Sequence, residues 1–314
     1  MKRYLYFLFV AITILVFLLN SKLTLEGSAN GLVLWLNTVV PTLLPFMILS
    51  SVLIGLQGEQ LLNKLFSPIT SKLFGLSPSG NYVFIIGMFC GYPLGAKTAA
   101  DLLQEKRLSL KEAQYLMNFC NNISPIFTVS FICNTLLNNK KIIPFAILIL
   151  YGIPIFMAFF TKKYYIQKNN FLKPVTKTLK SACQKEDIIT LLDNAIVNSA
   201  LTSLKLGGYI ILFSVFCSLF EHMHILPETL RTIAVICLEV TTGCRYCTTS
   251  PLLIQSGLIY PTLFTCATFG GLSGIAQTSG MINGSGLSLK QYILFRIACS
   301  AIVFIISYLI FIIL

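Results

Sequence analysis

Charge is scarce in this sequence. Of 314 residues, only 11% are Asp, Glu, Lys or Arg, less than half the roughly 25% usual in a soluble domain. Acidic residues are the scarcer kind, eleven against 23 Lys and Arg. There are two His, His222 and His224, and a single Trp, Trp35. With 55% hydrophobic residues and a mean hydropathy of +0.80, this excludes a water-solvated globular domain; the solvent around most of the chain is lipid. The sequence lacks HExxH, a P-loop, Gly-x-Ser-x-Gly and an intramembrane His. That leaves no metal-dependent, nucleotide-driven or serine-nucleophile chemistry to argue for. Neither an enzyme nor a cofactor is expected. The net charge of +12 comes without an RNP, zinc-finger or basic-helix pattern, so nucleic acid is not an expected partner. Lysines between apolar runs instead set orientation in the bilayer.

What is present is a succession of apolar stretches reaching the last residue. Lys2 and Arg3 precede a run over 4–19, read as an uncleaved first span with its N-terminus in the cytoplasm, because no small-x-small site follows. The next run, 31–56, contains Pro41 and Pro45. Over 59–76, Leu61, Leu62, Leu65, Phe66, Ile69 and Leu73 recur at helical spacing with Lys64 and Lys72 opposite, an amphipathic helix suited to the membrane interface. The run 81–100 is broken by Gly87, Gly91, Pro93 and Gly95, and 115–137 carries Asn118, Asn121, Asn122, Ser124 and Pro125 in its middle. An ordinary span follows over 142–160. The polar segment 161–187 holds seven lysines against Glu186 and Asp187, and so basic a short segment belongs on the cytoplasmic side. Beyond it come 188–220, expected to run along the interface before entering, then 230–247 with Glu239 and Arg245. The Gly-, Ser- and Thr-rich 261–282 and a final span over 291–314, with Arg296 near its start, close the chain. The ten Cys lie mostly within apolar runs and read as small packing residues. Cys244 and Cys247 form a lone CxxC, a weak metal signal.

The halves echo each other. Residues 45–50 resemble 208–214, the Gly-broken 87–91 corresponds to 238–243, and a polar break follows about 30 residues beyond each, at 121–125 and 270–274. Counting crossings from a cytoplasmic N-terminus places Lys64, Lys72 and the linker inside, and leaves Lys140 and Lys141 outside as a modest violation. The second repeat then starts from the opposite side to the first, so the repeats are inverted, as in many secondary transporters. The expected fold class is all-α: a polytopic membrane protein of two inverted repeats with broken or re-entrant helices. Its segments are an N-terminal anchor over 1–30, a first repeat over 31–160, the linker over 161–187, and a second repeat with the C-terminal span over 188–314.

Interrupted helices expose N–H and C=O groups within the bilayer, and such breaks persist only where protein or a wet cavity satisfies them. Paired breaks point to a midplane ligand site; close helix packing on small residues is the alternative. The candidate ligand residues are Gly91, Tyr92, Pro93, Lys97, Asn118, Asn121, Asn122 and Ser124 from the first half. The second half offers Glu239, Thr241, Thr242, Gly271, Ser273 and Gln277. Glu239 is an intramembrane carboxylate, functional by default, with Lys97 or Arg245 as its expected partner. Lys97 places a cation near the cavity or snorkels to the interface. The amides and hydroxyls suit a small polar solute such as a nucleoside, or a cation such as Na⁺.

At these motifs the chain resembles a known family. Glu26-Gly27, Leu34-Trp35 and Val40-Pro41-Thr42-Leu43-Leu44-Pro45-Phe46 resemble the opening of the sporulation integral membrane proteins of the YlbJ type. Gly91-Tyr92-Pro93-Leu94-Gly95-Ala96-Lys97 and Asn121-Asn122-Ile123-Ser124-Pro125 are similar to further motifs of that family. So are Leu238-Glu239-Val240-Thr241-Thr242-Gly243 and Phe269-Gly270-Gly271-Leu272-Ser273, although Thr242 stands where the pattern has Asn. The resemblance implies a nucleoside-recognition or Gate domain, a multi-pass place in the cell membrane and a role in spore formation. It implies a homo-oligomer or sporulation membrane proteins as partners beside the lipid bilayer. A transporter-like protein is the first expectation, and a non-transporting membrane scaffold for sporulation the second.

Overall fold

The computed structural model describes residues 2–56, 59–165, 187–223 and 225–313. Most of the basic linker and His224 lie outside the described residues. Those residues form helices and no strand.

The first half begins with α1 (Lys2–Leu19) and α2 (Ser21–Leu34), which continues through a π-helical turn into α3 (Val40–Gly55). The expected second span therefore starts earlier than residue 31, since Ser21–Leu53 is one helical unit. Next come α4 (Glu59–Phe74) and α5 (Pro78–Cys90), bent 95° from each other. Pro78 and the Ser77 cap, whose Oγ accepts from Gly80 N at 3.1 Å, start α5 cleanly. After α6 (Leu94–Gln104), α7 (Leu110–Cys120) starts on the Ser109 cap. It breaks at 121–124 and resumes as a π-helical stretch, Phe127–Leu136. The half closes with α8 (Ile143–Ile147) and α9 (Ile153–Tyr165), parts of one span from Lys140 to Tyr165.

The second half opens with α10 (Ile188–Glu221), 34 residues without interruption. At 1.5 Å per residue it is about 51 Å long, more than the roughly 30 Å hydrocarbon core. The expected interfacial start is therefore the first turns of one uninterrupted helix. Then follow α11 (Glu228–Leu238), α12 (Val240–Thr249), α13 (Pro251–Ser256), α14 (Ile259–Phe269), α15 (Gly271–Ile282) and α16 (Leu289–Tyr308).

Two pairs of these helices are hairpins whose tips lie inside the bundle. A Cβ on Gly95 would sit 3.1 Å from the Cα of Gly87, so α6 doubles back along α5. A Cβ on Gly243 would lie 3.1 Å from the Cα of Ile236, so α12 doubles back along α11. The tips are Gly91–Pro93 and Leu238–Val240. Each hairpin is followed by a broken helix, α7 with its π-helical continuation and α14 with α15. Packing between the halves is reciprocal: α6 lies on α15 and α12 on the stretch Phe127–Leu136, while α16 lies on α7 and the α8–α9 span on α14.

The hairpins open toward opposite ends of the bundle. At one end Ser77 N donates to Glu112 Oε1 (2.7 Å), Ser288 N to Gln114 Oε1 (2.7 Å) and Tyr165 Oη to Gln291 Oε1 (3.2 Å). At the other, Ser218 Oγ donates to Leu23 O (3.1 Å), Leu252 N donates to Glu228 Oε1 (3.2 Å), and Tyr260 stacks on Phe311 at 4.8 Å. The span containing α16, Leu289–Phe311, joins the two ends. A third feature holds α2 to α10: Cβ atoms on Gly27 and Gly31 would each lie 2.8 Å from an α10 Cα, at Val215 and Ile211. Only residues without a side chain permit that approach.

Candidate functional site

The two hairpin tips and the two helix breaks meet in the middle of the bundle. Gly91 ends α5 at φ +78°, and a Cβ there would come within 2.7 Å of Ser124 N. Tyr92, joined to Pro93 by a cis peptide bond, donates its N–H to Asn122 O at 2.6 Å. The first tip thus pairs with the first break. In the second half Gly271 (φ +71°) sits 3.0–3.1 Å, measured from its would-be Cβ, from Leu238 O, Glu239 Cα and Val240 N. The second tip rests on the second break in the same way. Tyr92 crosses between the halves, its ring 3.3 Å from the would-be Cβ of Gly274 on α15.

Glu239 stands at the second tip, 1% exposed. Thr242 N donates to its Oε2 at 2.7 Å, and Thr241 also hydrogen-bonds to the carboxylate. It is the N-cap of α12, an anion at the positive end of a helix dipole. The expected cation partners are not there. Lys97 points to the surface, pairing with Asp101 at 2.9 Å with its side chain 40% exposed. Arg245 is exposed on α12. Lys97 therefore does not line the cavity; one turn separates it from Asp101 on α6, and that i, i+4 pair engages its charge.

The buried cation is Arg296, 0% exposed on α16. Its guanidinium donates to Asn122 Oδ1 in the first break and to Thr268 O just before the second. The C-terminal carbonyls of α14 are freed by that break, and a cation at the negative end of the helix suits them. Tyr92 lies within electrostatic reach of both Glu239 and Arg296. Arg296, like Glu239, is a charge within an apolar run, and that signal could have found it. Standing shortly after Lys290, it passes in the sequence for the edge of the last span.

The remaining polar candidates divide. Asn121 accepts from Ala96 N (3.1 Å) and donates to Thr278 Oγ1 and Tyr292 Oη (3.1 Å each), tying α6, α15 and α16 together. Asn122 donates to Phe119 O at 2.8 Å. Asn118 lies away from the centre, between Gln114 and Tyr165 Oη. Ser273 accepts from Gln277 Nε2 at 3.0 Å, and Thr242 Oγ1 lies 3.3 Å from Ser214 Oγ. A cavity of about 40 Å³ is lined by Tyr92, Ser124, Glu239, Thr241 and Gln277, with Ile123 and Phe127 among its apolar walls. Of the fourteen candidates these five reach it; Gly91, Pro93, Asn121, Asn122 and Gly271 build its frame. Cys244 and Cys247 are buried beside Cys266, with Cys244 Sγ 3.9 Å from Cys266 Sγ. No group of three or more His, Cys, Asp or Glu fit to hold a metal occurs among the described residues.

Aligned over 332 positions, the chain is 27% identical to the sporulation integral membrane protein YlbJ of Bacillus subtilis (strain 168), an alignment covering 93% of this chain and 78% of that relative. The chain is similar to that sporulation protein along nearly its whole length. No family model matches it, and no solved structure matches it. The chain is a multi-pass membrane protein. Among the described residues four helices, Ser21–Leu53, Lys140–Tyr165, Ile188–Glu221 and Leu289–Phe311, are long and apolar enough to cross, and the bent pair Asn63–Phe74 with Pro78–Cys90 makes up to five.

Proposed function

We propose that this YlbJ-like chain is a transporter-like membrane protein acting in spore formation, with an ion or small polar group bound where the two hairpin tips meet. The observation that carries the reading is the Glu239 carboxylate at a hairpin tip, lining a cavity with four further oxygen-bearing side chains. Glu239, Tyr92, Ser124, Thr241 and Gln277 offer oxygen donors, the chemistry of a hard cation. The cavity's 40 Å³ exceeds the ~10–15 Å³ that one water needs and falls far below the ~300–1,000 Å³ of organic-ligand pockets. A cation or a few waters fit the observed state; a nucleoside would need it to open. Two hairpins opening toward opposite ends support an inverted, Gate-type repeat. No covalent chemistry is required of any residue, so the reading is a carrier driven by an ion gradient.

The test is thermal stability of the purified protein in Na⁺ against choline at equal ionic strength. Binding to the folded state raises Tm with ligand concentration. The wild type is expected to gain stability in Na⁺; Glu239→Gln, which keeps a capping oxygen, should fold and lose that gain. A second reading, a non-transporting scaffold for sporulation, is favoured by one observation: Asn121 uses its amide entirely on protein partners. A wild type indifferent to Na⁺, with no solute flux in liposomes, would support the scaffold and end the transport reading.

A further inference from the structure

On the outer surface, away from the tips, α4 and α9 enclose a groove of about 320 Å³ lined by Leu73, Phe74, Gly152, Ile155, Phe156 and Phe159. The walls are apolar and partly exposed, with Phe156 61% and Phe159 57% accessible and Phe74 buried at the floor. Gly152 makes the notch: a Cβ there would meet only Leu148 Cδ1, at 3.6 Å.

One end of the groove is basic. Lys162 Nζ donates to Leu73 O at 3.0 Å and lies 3.4 Å from Lys72 O, capping the C-terminus of α4 beside the groove. Lys163 is exposed one turn beyond Phe159, and Lys72 is exposed next to Leu73. Neither α9 nor the part of α4 beyond its first residue contains Asp or Glu. From Gly152 to Lys163 the helix rises about 16 Å, close to the roughly 15 Å depth of one hydrocarbon leaflet.

We infer that this groove is a binding site for an anionic phospholipid of the leaflet that faces the basic linker, with an acyl chain along Gly152–Phe159 and the phosphate at Lys72, Lys162 and Lys163. Length, apolar walls and a cationic mouth match the three parts of such a lipid. Basic pockets between membrane helices on the cytoplasmic side take anionic headgroups by the same attraction.

The experiment reads lipid retained by native mass spectrometry, and lipid affinity in nanodiscs, for phosphatidylglycerol against phosphatidylcholine. The wild type should retain phosphatidylglycerol in preference. Lys72→Gln and Lys163→Gln should each weaken its binding roughly fivefold, the equivalent of about 1 kcal/mol per lysine near a charged surface. Gly152→Leu, which fills the notch, should displace the lipid while the lysines remain. Lys64→Gln, two turns back on α4, should change nothing. Equal retention of the two lipids, or unchanged phosphatidylglycerol binding in both the Lys72→Gln/Lys163→Gln and Gly152→Leu proteins, would overturn the inference. So would cysteine cross-linking at Phe159→Cys between two copies, which would assign the groove to a second chain.

Discussion

Taking a guanidinium out of water costs several kcal/mol unless its donors are used. Arg296 uses Nη1 on Asn122 and Nη2 on Thr268, one partner in each half, and leaves its buried Nε without a partner among the described residues. Arg296→Met leaves both acceptors buried and unpaired, a loss expected to be about 3 kcal/mol, read as a lower midpoint in thermal unfolding in detergent. Arg296→Lys keeps the charge but not the two-pronged reach, so it should fall between. Gly91 and Gly271 carry a different constraint. Both hold positive φ against a neighbouring backbone, and alanine there costs about 1–3 kcal/mol from the backbone conformation alone. Gly91→Ala and Gly271→Ala should therefore each lower the unfolding midpoint, by similar amounts if the two breaks play matching parts. Glu239 and the breaks were legible in the sequence because Gly, Pro and Asn punctuate apolar runs. The pairing of charges was not, because Lys97 and Arg245 compete for Glu239 only on paper: each lies on an outward face that spacing alone does not orient.

At the scale of helices, the sequence pattern located interruptions at 91–97, 121–125 and 270–274; the structure breaks within each, at 91–93, 121–124 and 270, and is helical over the rest of the first and last. The amphipathic run after 59 forms α4 as its spacing requires. Missed was the small-xxx-small pair Gly27 and Gly31, which lies in a stretch of weak hydropathy. In the bilayer, helices associate through close packing rather than through the hydrophobic effect, so these two glycines matter more than their neighbours. Gly31→Leu should separate α2 from α10 and destabilise the protein by about 1–3 kcal/mol, measured by thermal unfolding. Gly208→Leu on α10, where a Cβ meets nothing within 4 Å, should be nearly neutral. Equal effects at the two positions would mean that α2 and α10 do not pack as described.

For the whole molecule, the order of long helix, hairpin, broken helix and crossing span appears in each half, and the halves interlock so that the two tips share one cavity. The apolar, helical character of the chain was readable from hydropathy; which ends of which helices meet was not, because that depends on contacts between residues more than 100 positions apart, such as Gln114 with Ser288. Cysteine accessibility decides the arrangement most directly. The native cysteines among the described residues are buried, save half-buried Cys237, so Lys111→Cys at the base of the first hairpin and Gln255→Cys beside the base of the second report cleanly once Cys183 is replaced by Ser. A membrane-impermeant maleimide added to intact cells should label Gln255→Cys and spare Lys111→Cys, and inverted vesicles should reverse the pattern. Labelling of both positions from the same side would contradict the opposed hairpins, and with them the shared site.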